Sequence, residues 1–171
     1  MMGKNIFICI FIWIYSSVSA QDIVKSFMDK HGKDDNLEII TIGKKMMETM
    51  YALTIDNPEL TEAIKGMETI HIVSSKDMDL NKDYYNTARQ LLSKSKGIKE
   101  FFSMSGENNE LLIMIRESKK SIKELILLSE QPDGFNLISI SGTIDLDVLL
   151  KYSGGLNIKE LNQLRSVKRN Q

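Results

Sequence analysis

Apolar residues recur at two different periods along this chain, and the switch between them divides it into two halves. From Asp22 to Lys30 the apolar positions Ile23, Val24, Phe27 and Met28 fall at helical spacing, with Gly32 close behind. This predicts one amphipathic helix and its stop. LEIITI, residues 37–42, is instead a short β-branched run and predicts a strand. After Gly43, KKMMETMYAL sets Met46, Met47, Met50 and Leu53 on one helical face. Asn57 before Pro58 opens a second short helix, since a side-chain acceptor at the cap and a proline in the first turn both suit a helix start. METIHIVSS returns to strand over 69–74, and the longest helical pattern covers 81–95, with Tyr84, Ala88, Leu91, Leu92 and Ser95 in line.

The second half changes character. IKEFFSMS (98–105), ELLIMIRE (110–117), SIKELILLS (121–129) and FNLISIS (135–141) read as consecutive strands. Their connections are short and polar, and Gln131-Pro132-Asp133-Gly134 has the composition of a β-turn. Connections this short join antiparallel neighbours, so the pattern predicts a β-meander. IDLDVLLKY then reads as a helix started at Asp145 and ended by Gly154-Gly155, and a last helix begins at Asn157 with Glu160 completing a capping box. Each helix carries one apolar stripe and the sheet needs a cover. The expected fold is therefore α+β, two-layer, with helices packed on one face of an antiparallel sheet.

The first residues belong to a different pattern. Lys4 precedes the apolar run from Ile6 to Tyr15, and Val18, Ser19 and Ala20 follow as a small-x-small sequence. These are the three regions of a secretory signal peptide, with cleavage expected after Ala20. The run is too short for the roughly 18–20 residues a membrane-spanning helix requires. The expected organisation is a signal peptide over 1–20 and a single α+β domain over 21–171, periplasmic or secreted, with no membrane span once the leader is removed. Cys9 and Trp13 both lie in the leader and no other Cys or Trp exists. The mature chain thus has no thiol for a disulfide, a nucleophile or a metal site.

Charge narrows the partners. With 22 basic and 23 acidic residues, and no basic stripe interleaved with aromatics, nothing points to nucleic acid. One acidic stretch invites a closer reading: KDMDLNKD, residues 76–83, alternates Asp77, Asp79, Asn81 and Asp83. A calcium loop counted from Asp77 needs glycine at its sixth position and glutamate at its twelfth, where this chain has Lys82 and Ala88. The same residues are explained as a helix start, with Asp79 or Asn81 as the cap and acidic groups facing the positive end of the helix dipole.

The two histidines, His31 in a polar loop, HGKDDN, and His71 between Ile70 and Ile72, lack the spacing of a metal-hydrolase motif. No nucleophile elbow or glycine-rich phosphate loop is present. No catalytic residue, cofactor or metal site is assigned, and the chain reads as non-enzymatic. Met46, Met47 and Met50 remain as the candidate partner face, since a methionine surface adapts to varied partners; at helical spacing the same residues also suit core filling.

LISISGTIDLDVLLKYSGGLNI, residues 137–158, carries a resemblance. A strand ending in I-S-G, then x-I-D-L-D and a helix, is similar to the closing segment of a domain-of-unknown-function family of small exported, often lipid-anchored bacterial proteins. The resemblance implies the same order of helix, strand, Met-rich helix and meander over nearly the whole mature chain. It assigns no activity and no catalytic residue. This chain departs from the lipid-anchored members, because no Cys follows its cleavage site. The expected function is that of an exported protein binding a protein or envelope component, in an envelope-response system. The alternatives are a small-molecule or ion binder, and an enzyme whose catalytic residues are dispersed in sequence.

Overall fold

The computed structural model of the chain describes residues 20–107, 109–119 and 121–156. Along it run α1 (Ala20–His31), β1 (Glu38–Ile42), α2 (Lys44–Leu53), α3 (Pro58–Ile64), β2 (Met67–Ser75) and α4 (Asn81–Lys94). They are followed by β3 (Lys99–Ser105), β4 (Glu110–Ser118), β5 (Ser121–Gln131), β6 (Gly134–Ile144) and α5 (Leu146–Leu156). The six strands form one sheet in the order β1-β2-β6-β5-β4-β3, antiparallel throughout. The chain is therefore α+β, and β3 to β6 are the expected meander. The signal-peptide segment and the helix expected from Asn157 lie outside the described residues. α5 runs through Gly154 and Gly155, the pair expected to end it, to Leu156.

The helices lie on both faces of the sheet rather than on one. α2, α3 and α5 cover the side formed by Ile70, Ile113, Leu125, Leu127, Ile138 and Ile140. On the other side, α1 and α4 cover Val73, Leu112, Ile126, Leu128, Phe135 and Leu137. The reason is visible in β5. Leu125, Ile126, Leu127 and Leu128 are successive and all fully buried, and successive strand residues point to opposite faces. A single helical layer would leave half of them in water, at about 1.5–3 kcal/mol for each large side chain. Unbroken apolar runs are the mark of a strand covered twice.

The β2–β6 pairing joins the two halves of the chain. Its register shifts between Met67 and Thr69, which turns both Met67 and Ile70 toward the α2/α3/α5 side. Gly142 lies at this irregularity with φ 134°, and a Cβ there would come within 2.3 Å of the Gly66 carbonyl oxygen. Gly66 itself has φ 80°, and its carbonyl accepts from the Thr143 N–H at 2.7 Å. Only residues without a side chain let the two backbones approach this closely.

Candidate functional site

KDMDLNKD forms the approach to α4. The Asp77 carboxylate accepts from the Asp79 N–H at 3.1 Å and from Asn36 Nδ2 at 2.6 Å, while its carbonyl accepts from the Leu80 and Asn81 N–H groups. The stretch is a helix start, as expected, but the capping roles fall elsewhere. Leu80 holds the cap position without a side-chain bond, and Asn81 lies inside the first turn, 2 % exposed. The turn closed by Asp77 does the work a cap would do, and Asp83 faces the positive end of the dipole. Among the described residues no group of three or more His, Cys, Asp or Glu side chains is placed to hold a metal ion.

His31 is the last residue of α1, not part of a loop. Its ring stands 4.9 Å from Phe27 and 5.1 Å from Tyr84, and its Nδ1 lies 3.2 Å from Asp34. The Tyr84 hydroxyl donates to the same Asp34 oxygen at 3.3 Å. Burial, then the Asp34 charge, pushes the Tyr84 pKa up. His31, Asp34 and Tyr84, with Lys33, Asp35 and Asp83, line an open cleft of about 520 Å³ between α1 and α4. His31 and Tyr84 both bond to Asp34 and their rings meet edge to face, so the wall is braced from within.

His71 points away from Ile70 and Ile72, toward the α1/α4 side. Its Nδ1 shares a 3.1 Å hydrogen bond with the Thr41 hydroxyl, and it pairs directly with Ser139 across β2–β6. His71 Nε2 and the Ser139 hydroxyl have no further partner. Burial lowers the His71 pKa, which keeps the ring neutral. Next along this face, Thr69 and Ser141 share a hydrogen bond, and the Arg116 guanidinium contacts Glu124 at 2.7 Å and the Lys96 carbonyl at 2.6 Å. The row is a structural polar seam: its ion pair is cross-strand and mostly withdrawn from water.

The methionine stripe divides. Met47 is 2 % exposed and belongs to the core, Met50 packs partly against it, and Met46 is 55 % exposed. The stripe is wider than the sheet can cover. Met46 shares its outer edge with Leu53, two turns on, and Tyr51 and Ile55 are also exposed. Ile39 and Ile40 are also exposed, on opposite faces of β1: Ile40, opposite Ile72, points to the side that carries α2, and Ile39, opposite Val73, to the α1/α4 side. β1 is an edge strand whose outer side pairs with no other strand among the described residues. β1 contains neither proline nor lysine, the usual guards of such an edge. Leu53 was visible on the helical face. The exposure of Ile39 and Ile40 was not, because it depends on where LEIITI falls in the strand order.

The I-S-G-T-I-D-L-D element takes a structural meaning. Ile140 and Ile144 are core residues, Ser141 bonds Thr69, and Gly142 permits the β2–β6 approach. Asp145 Oδ1 accepts from the Asp147 and Val148 N–H groups at 3.0 and 3.1 Å and so caps α5.

Architecture and surface together define an α+β protein with a twice-covered antiparallel sheet and, among the described residues, an open β1 edge. The family model described as Domain of unknown function (DUF4252) matches residues 27–164, and the chain belongs to that family. No curated protein and no solved structure matches the chain.

Proposed function

We propose that the chain is an exported, non-catalytic binding domain that engages a protein component of the bacterial envelope, in an envelope-response system. The leader pattern of Lys4, Ile6–Tyr15 and Ala20 supports export, and no helix among the described residues is long and apolar enough to cross a membrane. The observation that carries the binding role is the exposure of Met46 and Leu53 on α2, Ile55 just after it and Ile40 on the same side of the sheet, together with the open edge of β1. An extended segment of the partner would add to β1 as a further strand. Main-chain hydrogen bonds then supply affinity, and the exposed apolar side chains supply selectivity.

The test is site-directed photocrosslinking in intact cells, with the probe at Leu53 or at Ile40, and at Lys25 on the exposed side of α1 as control. The expected result is one envelope protein captured from Leu53 and Ile40 but not from Lys25. Its capture should be lost in a Met46→Ser, Leu53→Ser variant that melts like the parent. Equal capture from Lys25, or robust turnover of a peptide, ester or phosphate substrate by the purified protein, would overturn the proposal.

A further inference from the structure

A smaller cavity of about 310 Å³ opens beside the first turn of α4, at the small end of the range for ligand pockets, roughly 300–1,000 Å³. Its walls are Met78, Asn81, Glu130, Gln131 and Pro132, so it lies between the approach to α4 and the β5–β6 turn. It is separate from the cleft at His31 and from the apolar edge at β1.

Three features of this cavity point to one kind of ligand. Asn81 is 2 % exposed, lines the cavity, and its Oδ1 accepts no hydrogen bond. A buried amide oxygen left without a donor loses its hydration and gains nothing in return. Glu130 stands on the same wall. It pairs directly with Glu110 across β4–β5, and like charges opposed in this way repel. Glu110 already accepts from the Ser105 hydroxyl at 2.7 Å, and burial, then the Glu110 charge, pushes the pKa of the Tyr85 hydroxyl up. Arg89 acts on that hydroxyl as well, yet neither it nor any other cation among the described residues forms an ion pair with Glu130. The third feature is the rim. Met78, 74 % exposed, and Pro132 both line the cavity, which provides a flexible thioether and a rigid ring to contact an aliphatic stem.

We infer that this cavity binds a primary ammonium group on an unbranched aliphatic stem, with Glu130 and Asn81 Oδ1 accepting from the ammonium and Met78 and Pro132 holding the stem. An ammonium has three donors and no acceptor, which matches two acceptors on one wall. An anion would meet Glu130 and find no cation there. The positive end of the α4 dipole works against a cation, but Asp77, Asp79 and Asp83 surround that end and outnumber Lys76 and Lys82. The ammonium could come from a free amine or from a lysine of another protein, since the recognised chemistry is the same.

The experiment is an NMR titration of the ¹⁵N-labelled protein with four probes: n-butylammonium, N-acetyl-lysine amide, tetramethylammonium and n-butanol. The expected result is saturable shifts of the Asn81 and Gln131 side-chain amides with the first two probes only. Tighter binding of butylammonium identifies a free amine as the preferred source, and tighter binding of the lysine derivative a protein lysine. Glu130→Gln should weaken binding at least about tenfold, the effect of removing one charged hydrogen-bond partner. Asn81→Leu should weaken it as well, and Glu130→Gln, at a half-buried site, keeps the test valid should Asn81→Leu fold poorly. Equal shifts with tetramethylammonium, which has no N–H, would reduce the effect to general charge attraction and overturn the inference. So would the absence of a saturable shift with either primary ammonium.

Discussion

Replacing Gly142 by alanine adds one methyl group, and the structure places that methyl in an occupied position. It would come within 2.3 Å of the Gly66 carbonyl oxygen, 2.8 Å of the Glu68 nitrogen and 2.9 Å of the Met67 Cα. All three are backbone atoms, so no side chain can swing aside, and β2 must draw back from β6 where the two halves of the chain meet. The φ of 134° adds its own strain, because residues with a side chain rarely adopt it. A backbone held in a region of this kind costs about 1–3 kcal/mol. Overpacking of a tight site costs about 1–3 kcal/mol more. The two together give about 4 kcal/mol, a large part of the roughly 5–15 kcal/mol that holds a typical domain together. Urea unfolding followed by far-UV circular dichroism measures this directly, with the slope expected to match that of the parent. The melting temperature should fall by about 8–16 °C, from about 2–4 °C per kcal/mol for a domain of this size. Gly43→Ala is the matched control, since its Cβ meets nothing within 4 Å and its φ is −84°. That change should stay within about 0.5 kcal/mol of the parent. A Gly142→Ala protein within about 1 kcal/mol of the parent, or a Gly43→Ala protein equally damaged, would refute the reasoning.

Further outcomes follow from the buried side chains. Met47→Ala should cost about 2–5 kcal/mol in the same unfolding assay, whereas Met46→Ala, on the exposed edge of the same helix, should change stability by about 0.5 kcal/mol or less. Arg116→Met removes the guanidinium that stands 2.7 Å from the Glu124 carboxylate in a site mostly withdrawn from water, and should cost about 3 kcal/mol or more; Arg116→Lys, which keeps the charge but not the fork, should recover only part of it. The His71 ring titrates below its ordinary value of 6.5 because it is buried, so the unfolded chain takes up the proton first on acidification. Stability is then fully present above pH 6.5 and is lost as the pH falls from there through the lowered folded value. His71→Gln should flatten that part of the pH profile in urea melts, and an unchanged slope would show that other groups set it.

Much of the order of elements was legible because each carries a local signature. Asn57-Pro58 marks the start of α3, Pro132-Asp133 the β5–β6 turn, and Asp145 the start of α5. The layering was legible too, in the successive apolar residues of β5, but only if a run without alternation is taken to mean two covered faces. Strand order was not, since the partnership of β2 with β6 is a matter of packing between distant segments. The candidate site follows the same division. Met46, Met47 and Met50 share a stripe in the sequence, yet only the placement of the sheet decides which of them meets water. Asn81 looked like a cap in the alternating acidic run. Its burial one position inside the helix, on the wall of a cavity, depends on how the β5–β6 turn approaches α4.

The sheet order also sets a timetable for assembly. β3 to β6 pair with their immediate neighbours in sequence, so each hairpin can close as soon as its second strand exists. β2 has such a neighbour only in β1, and on its other edge Met67 must find Gly142 and Ser75 must find Phe135, across the whole intervening meander. A chain made from its amino end therefore holds β1, α2 and α3 waiting, with their apolar sides uncovered, until the last strand has emerged. Non-local closure of this kind is the slow step in forming a sheet. The amino-terminal half is thus the part most in need of protection while the protein is young, although it is made first.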